Sequence, residues 1–243
     1  MAGTIQHKRG PFYCAQSIQR GSFLKHDVKE KKALIQAALE IFHQGFVRGT
    51  WGNISALLPK GRLLITPSGV DYTRLRPRDI SLIQRKTGNL LSGLPPSSEL
   101  PLHLKIYDES SLTSALVHIH SPALSAISVL GVSVPVLTED QAMIIGGEIQ
   151  TAPYASPGSV QLAEQAAGLF KNVSGCLLAH HGYIGGGRSL REALTNCFIA
   201  EKSAQIYLSL LPVQKEILPL PPDEVRSLRN AYFNYRPADR IGR

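Results

Sequence analysis

Apolar positions change their period several times along this chain, and each change marks an element. Leu34, Ile35, Ala38, Leu39, Phe42 and Phe46 recur three or four residues apart, the pattern of one buried helix face. Asp27 stands where an N-cap is needed and Glu30 follows three residues later, a capping-box pattern that predicts the start of that helix. From Thr50 the period shortens. Ile54–Leu58 and Leu63–Ile65 flank Pro59-Lys60-Gly61 and predict a hairpin. Ile80–Ile83, Ala115–His120, Val134–Leu137 and Gly175–Ala179 predict further short strands, while Ser97–Tyr107 and Ser159–Phe170 predict helices. Two serines open the first of these helices, and Pro101 is tolerated in a first turn. A long helix over Leu190–Leu211 opens on Ser189, with Glu192 at the capping-box position.

Pro212, Pro219, Pro221 and Pro222 then break regular structure and make an extended link to a C-terminal segment, 223–243, that carries Tyr232, Phe233, Tyr235 and several arginines. Residues 1–26 show no clear periodicity and read as a loosely ordered basic arm, which leaves one domain over 27–222. Strands and helices mix without a strict βαβ rhythm. The expected class is therefore α/β, a layered single domain around a largely antiparallel sheet flanked by helices.

Composition narrows the class. Hydrophobic residues make up 43% of the 243 and charged residues 18%, the balance of an ordinary soluble globular enzyme rather than a disordered chain. The formal charge is +8, but the basic residues are scattered and form no concentrated stripe, so a small anionic substrate is expected and nucleic acid is not. Cys14, Cys176 and Cys197 have no paired spacing, which suits a reduced, cytoplasmic setting. No apolar run reaches the length of a signal peptide or of a membrane span, and no membrane association is expected.

The candidate chemistry lies in the histidines. His118 and His120 are two apart in the strand Ala115-Leu-Val-His-Ile-His120, so both imidazoles project from one face while Val117 and Ile119 take the other. Two imidazoles at that spacing suit one divalent cation. His180 and His181 end another strand; neighbours in extended chain face opposite ways, so only one of them joins such a site, and Gly182 allows a tight turn there. Three histidine ligands leave a coordination position open, the catalytic arrangement. A buried histidine is also, commonly, only a hydrogen-bonded core residue, and the histidine pattern alone leaves both readings open.

Further segments surround those histidines in order: Thr50-Trp-Gly-Asn-Ile-Ser55, Ile65-Thr-Pro-Ser-Gly69, Pro96-Ser-Ser-Glu-Leu100 followed by His103, and Pro153-Tyr-Ala-Ser-Pro-Gly158. Together with Val117-His-Ile-His-Ser121 and Ala179-His-His-Gly182 they resemble the class II aldolase/adducin family, over about residues 30–235, and within it the L-fuculose-phosphate aldolase branch. The resemblance implies a nine-stranded, mainly antiparallel sheet and a cyclic homotetramer with active sites at subunit interfaces. It implies zinc, or another divalent ion such as manganese or cobalt, held by His118, His120 and His181, with Glu99 as a catalytic acid/base that also reaches the metal. It further implies that Thr50, Gly52, Asn53, Ser68, Gly69, Ser97 and Ser98 bind or shape the site for the substrate phosphate. Residue chemistry agrees, since glycine turns expose N–H donors and serines at a helix start suit an anion.

The reaction so implied is reversible cleavage of a ketose 1-phosphate to dihydroxyacetone phosphate and an aldehyde, through an enediolate that the metal stabilises. One departure stands out. The family branch carries an interface tyrosine used as an acid where this chain has Glu139, within Val134-Pro-Val-Leu-Thr-Glu-Asp140; the rhamnulose-phosphate aldolase branch uses a glutamate for protonation, so Glu139 is either its substitute or a solvated loop carboxylate. Tyr235 fits a C-terminal tyrosine that helps close the site, with segment 223–243 as a lid. The same resemblance leaves two alternatives: a pentulose-phosphate 4-epimerase, and a non-catalytic interaction module like the adducin head.

Overall fold

The computed structural model describes residues 20–213 and 215–235, with side chains described over 27–213 and 215–234. Most of the expected N-terminal arm and the end of the C-terminal segment lie outside these residues. In chain order the elements are α1 (Arg20–His43), β1 (Asn53–Leu58), β2 (Arg62–Ile65), β3 (Ser81–Gln84), β4 (Asn89–Ser92), α2 (Leu100–Glu109), β5 (Ala115–Ile119), α3 (Pro122–Leu130), α4 (Glu139–Ile144), β6 (Thr151–Ala152), α5 (Val160–Leu169), β7 (Gly175–Leu178), β8 (Gly182–Gly187), α6 (Leu190–Leu210) and α7 (Pro222–Tyr235). Helix α1 is already formed at Arg20, so Asp27 is not its cap. Asp27 instead accepts from Arg62 Nη1 at 2.6 Å and ties α1 to β2.

The strands form one sheet in the order β4-β3-β2-β1-β5-β8-β7-β6. Among the described residues it has 8 strands rather than the nine expected, and it is mixed, because β6 runs parallel to β7 while the other neighbours are antiparallel. Strand alternation divides the core. Ile54, Val117, Ile119, Leu177 and Tyr183 face a layer that includes residues of α1, α3 and α6, while Leu63, Ile65, Leu116, Leu178 and Ile184 face α2 and α5. The result is the expected α/β domain with helices on both faces of the sheet.

Val134–Leu137 is not a strand. Val134 makes one bridge with Ile149, and the buried Gln141 satisfies the backbone around it: its Nε2 donates to Pro135 O at 3.0 Å and its Oε1 accepts from Leu137 N at 3.2 Å. Pro135 has no N–H to offer a ladder, so a side chain takes the place of a partner strand. Strand β8 escapes sequence pattern because it reads Gly-Tyr-Ile-Gly-Gly-Gly; a Cβ at Gly187 would stand 2.5 Å from Ala193 N of α6. Helix α7 docks on its own chain through Val225 against Val136 and Ala142 and through Arg229, which donates to Met143 O at 2.6 Å and Ile144 O at 2.5 Å at the end of α4.

Helix α3 starts directly after β5, and its first turn is capped from α6. The buried Glu201 accepts from Ser121 Oγ at 2.6 Å and from Ala123 N and Leu124 N at 3.1 Å each. A carboxylate on free N–H groups at a helix N-terminus is favourable by both hydrogen bonding and the helix dipole. Glu201→Ala leaves those donors buried and unpaired and is expected to cost about 3 kcal/mol in urea unfolding, with Glu201→Gln costing less.

Candidate metal centre and active site

The face that carries Leu116 also carries His118, as strand alternation requires. His118 is wholly buried, and its Nδ1 lies 3.0 Å from Tyr183 O. A carbonyl only accepts, so the proton is on Nδ1 and Nε2 carries a lone pair. His120 follows β5, where its N–H donates to Phe46 O at 2.9 Å. His181 comes from the β7–β8 turn, closed by His181 N donating to Leu178 O at 3.0 Å. The left-handed residue of that turn is His180, with φ 56°, and not Gly182 as expected. Gly182 is needed for a different reason: a Cβ there would stand 2.4 Å from Ile119 O, and the two strands could not close. The His180 ring turns toward Tyr154, with ring centroids 6.1 Å apart, and only His181 joins the other two histidines.

The three imidazoles meet through their Nε2 atoms, 2.8 Å apart for His118 and His120 and 3.3 Å for His118 and His181. A tetrahedral ion with bonds of about 2.0–2.1 Å spans nitrogen pairs of about this separation. Burial, reinforced by the neighbouring imidazoles, holds His118 well below the usual histidine range and brings His120 down to about 3. His118 and His120 are therefore neutral at pH 7, and Nε2 of His118 presents a lone pair.

Glu99 closes the cluster from the first residue before α2. It is 4% exposed; its Oε2 lies 3.3 Å from His118 Nε2 and its Oε1 lies 3.3 Å from His181 Nε2. Oε2 accepts from Asn53 Nδ2 at 2.7 Å, whereas Oε1 has no hydrogen-bond donor among the described residues. A buried carboxylate 3.3 Å from the lone pair of His118 Nε2, with its other oxygen lacking a donor, is unfavourable unless a cation stands between them. The residues fit a divalent metal, and this donor set of nitrogen and oxygen suits zinc, manganese or cobalt alike.

Above the cluster opens a pocket of roughly 470 Å³. Its other side is built from Thr50, Gly52, Ser68, Gly69, Ser97 and Ser98, all residues expected to handle phosphate. Two loops brace one another there, with Ser68 N donating to Pro95 O at 3.0 Å and Ser97 N to Thr66 O at 3.1 Å. The buried Tyr72 donates to Gly52 O at 2.6 Å and fixes the third loop. Ser97 and Ser98 precede α2 instead of opening it, because the helix begins at Leu100. Asn53 lines the same pocket, but its carboxamide is engaged at both ends, by Glu99 and by His103 Nε2, 2.5 Å from its Oδ1.

Residues 32–208 match the class II aldolase and adducin N-terminal domain. The chain belongs to that family. A 5-methylthioribulose-1-phosphate/5-deoxyribulose-1-phosphate aldolase of Rhodospirillum rubrum is 35% identical over 206 residues, 84% of this chain and 91% of that protein. A 3-oxo-tetronate 4-phosphate decarboxylase of Haemophilus influenzae is 32% identical over 209 residues, 84% of this chain and 98% of the relative. A solved L-fuculose 1-phosphate aldolase superposes with a TM-score of 0.80 at 29% identity, covering 85% of this chain and 96% of that one.

Within this class II aldolase chain, two expected residues remain, Glu139 and Tyr235. Glu139 is exposed on the first turn of α4 and does not line the pocket of its own chain. Tyr235 ends α7 and its side chain lies outside the described residues. The aromatic residues before it pack at home: Arg188 and Arg229 lie over the Phe233 ring at 4.8 and 4.5 Å. Described α7 packs against α4, and none of its described residues lines the pocket of its own chain. No described helix is long and apolar enough to cross a membrane.

Sequence pattern gave no role to His103, Ser55 or Tyr107, although Glu99, His103 and Tyr107 share one helical face at four-residue spacing. His103 is wholly buried, and burial brings it down to about 4, below the ordinary 6.5. The unfolded chain therefore takes up this proton first as pH falls. Stability that depends on neutral His103 is complete above pH 6.5 and is lost as pH drops toward and through 4. Between pH 7.5 and 5, chelator-treated wild type is expected to lose about 2 kcal/mol more than His103→Gln in denaturant unfolding.

Proposed function

We propose that this chain is a metal-dependent aldolase that reversibly cleaves a ketose 1-phosphate to dihydroxyacetone phosphate and an aldehyde, in the manner of L-fuculose 1-phosphate cleavage. The observation that carries the reading is Glu99, buried against three convergent histidine nitrogens at the base of a pocket whose other side is hydroxyls and glycine turns. His118, His120 and His181 hold the ion, zinc or a similar divalent metal, with Glu99 within reach of it. When bound, the ion supplies a Lewis acid that polarises the ketone and offsets negative charge as the carbon–carbon bond breaks.

The chain's own residues do the remaining work. Thr50, Gly52, Ser68, Gly69, Ser97 and Ser98 anchor the phosphate through hydroxyl and backbone N–H groups, helped by the +8 formal charge of the chain. In the cleavage direction the bond between C3 and C4 breaks, the C4 hydroxyl loses its proton to give the aldehyde, and C3 gains a proton to give dihydroxyacetone phosphate. Glu99 delivers the proton to C3 and removes it in the reverse direction.

The reading includes a cyclic homotetramer with sites at subunit interfaces, in the cytoplasm. What supports the interface is Glu139, exposed and outside its own chain's pocket. It takes the C4 hydroxyl proton from a neighbouring copy, where Tyr235 also orients the aldehyde. The decarboxylase relative favours a second reading, in which the same site releases carbon dioxide from a 3-oxo acid phosphate. Both reactions leave negative charge on a carbon beside a carbonyl.

Product analysis separates the readings. With a panel of ketose 1-phosphates, wild type is expected to release dihydroxyacetone phosphate, and a chelator to abolish that release. Carbon dioxide from 3-oxo acid phosphates supports the decarboxylase, an isomeric pentulose phosphate the epimerase, and protein purified without bound metal the interaction module. Glu99→Gln is expected to lower kcat by about 10²- to 10⁴-fold. Unchanged turnover in Glu139→Gln would remove that residue from the mechanism.

A further inference from the structure

Behind Glu99 runs a buried polar chain that the reaction as written does not use. Asn53 Nδ2 lies 2.7 Å from Glu99 Oε2, Asn53 Oδ1 lies 2.5 Å from His103 Nε2, His103 Nδ1 lies 2.6 Å from Ser55 Oγ, and Ser55 Oγ lies 2.7 Å from Tyr107 OH. All five residues are buried. Two periodicities align them. Asn53 and Ser55 share one face of β1, and Glu99, His103 and Tyr107 share one stripe of α2 and its cap.

The donors and acceptors along this chain have one consistent assignment. A carboxylate only accepts, so the amide nitrogen of Asn53 faces Glu99 and its oxygen faces His103. His103 must then donate from Nε2. A neutral imidazole has one N–H, so Nδ1 accepts, and Ser55 donates to it. The Ser55 proton is then in use, and Tyr107 donates to Ser55. Burial keeps His103 neutral at pH 7, which this assignment needs.

We propose that His103 is a positioning residue for the reaction: acting through Asn53, it ties down Oε2 of Glu99 and leaves Oε1 as the oxygen that carries the proton. Oε1 is the oxygen without a donor of its own. Were Asn53 to flip its carboxamide, its oxygen would face the carboxylate and push Glu99 out of line; the Nε2–H of His103 forbids that flip. Asn53 is thereby reassigned from phosphate to Glu99. The inference rests on the reading of Glu99 as the proton carrier.

The test compares wild type with His103→Leu, His103→Gln and Ser55→Ala, measuring kcat and KM for dihydroxyacetone phosphate release, bound zinc, and crystal structures of the chelated proteins. His103→Leu is expected to lower kcat about 10- to 100-fold, with KM and zinc content held. His103→Gln, which keeps an N–H for Asn53, should recover most of that loss. In the His103→Leu crystal, Glu99 Oε2 should no longer meet Asn53 Nδ2. Ser55→Ala, which removes the donor to His103 Nδ1, should lower kcat several-fold and serves if His103→Leu does not fold. Full kcat in both His103→Leu and Ser55→Ala, or an unmoved Glu99 in the crystal, overturns the inference. An equal loss in His103→Gln and His103→Leu overturns it too, since it would mark a packing role. A fully active Glu99→Gln instead overturns the reading of Glu99 beneath it, while the crystal structures still decide whether His103 orients the carboxylate.

Discussion

One buried corner, where three imidazole nitrogens and a carboxylate face each other, dictates what the rest of this fold must supply. The His118 Nε2 lone pair and the Glu99 carboxylate, 3.3 Å apart, repel unless a cation is shared between them, so the corner is tolerable only if the surrounding structure holds it rigid. The sheet supplies that rigidity. Asn53 pairs with His118 across β1 and β5, and His118 pairs with Ile184 across β5 and β8, so each neighbouring strand sets the height of its ligand or ligand partner. Glu201 locks the start of α3 immediately beyond His120, and Phe46 O holds the backbone of His120 itself.

The two faces of the sheet divide the labour. The layer with α1, α3 and α6 is mainly apolar packing, with the Glu201 cap and the Tyr183–Asn196 bond as polar insertions. On the other face a polar stripe from Asn53 to Tyr107 crosses the apolar packing beneath α2. Burying such a stripe is costly unless every group finds a partner, and each internal member does. The one oxygen left over, Oε1 of Glu99, faces the histidines and the pocket, where substrate chemistry and a metal can use it. The satisfied part of the network gives direction to the unsatisfied part.

Much of this was legible before any coordinates, because it follows from local periodicity. The alternation in Ala115–His120 put His118 and His120 on one side of a strand, and the Ser189 cap of the long helix stands where the pattern placed it. What escaped depends on tertiary contact. Asp27 looked like a cap because it precedes a helical period, yet its partner is Arg62 on another element. Val134–Leu137 looked like a strand because it is apolar, yet a buried glutamine completes its bonds. Gly182-Tyr-Ile-Gly-Gly-Gly187 has the composition of a loop, and only the closeness of α6 and β5 explains glycine in a strand there. The motif segments located the corner and its pocket, but the same letters gave Asn53 to phosphate, since direction along a hydrogen-bond chain is not written in spacing.

An aldolase and a decarboxylase of similar identity, 35% and 32%, each align with 84% of this chain. Both reactions develop the same charge beside a carbonyl, and on the proposed reading both call on Glu99 and the three histidines. Discrimination falls instead to residues that meet the departing group. At the pocket rim of this chain stand Trp51, 70% exposed, and Tyr154, 61% exposed, the latter against the His180 ring. Exposed side chains add little to folding stability and can change at small cost, whereas His118 or Asn53 cannot. The fold thus separates a buried charge-handling corner from an exposed rim whose side chains can change at little cost to folding.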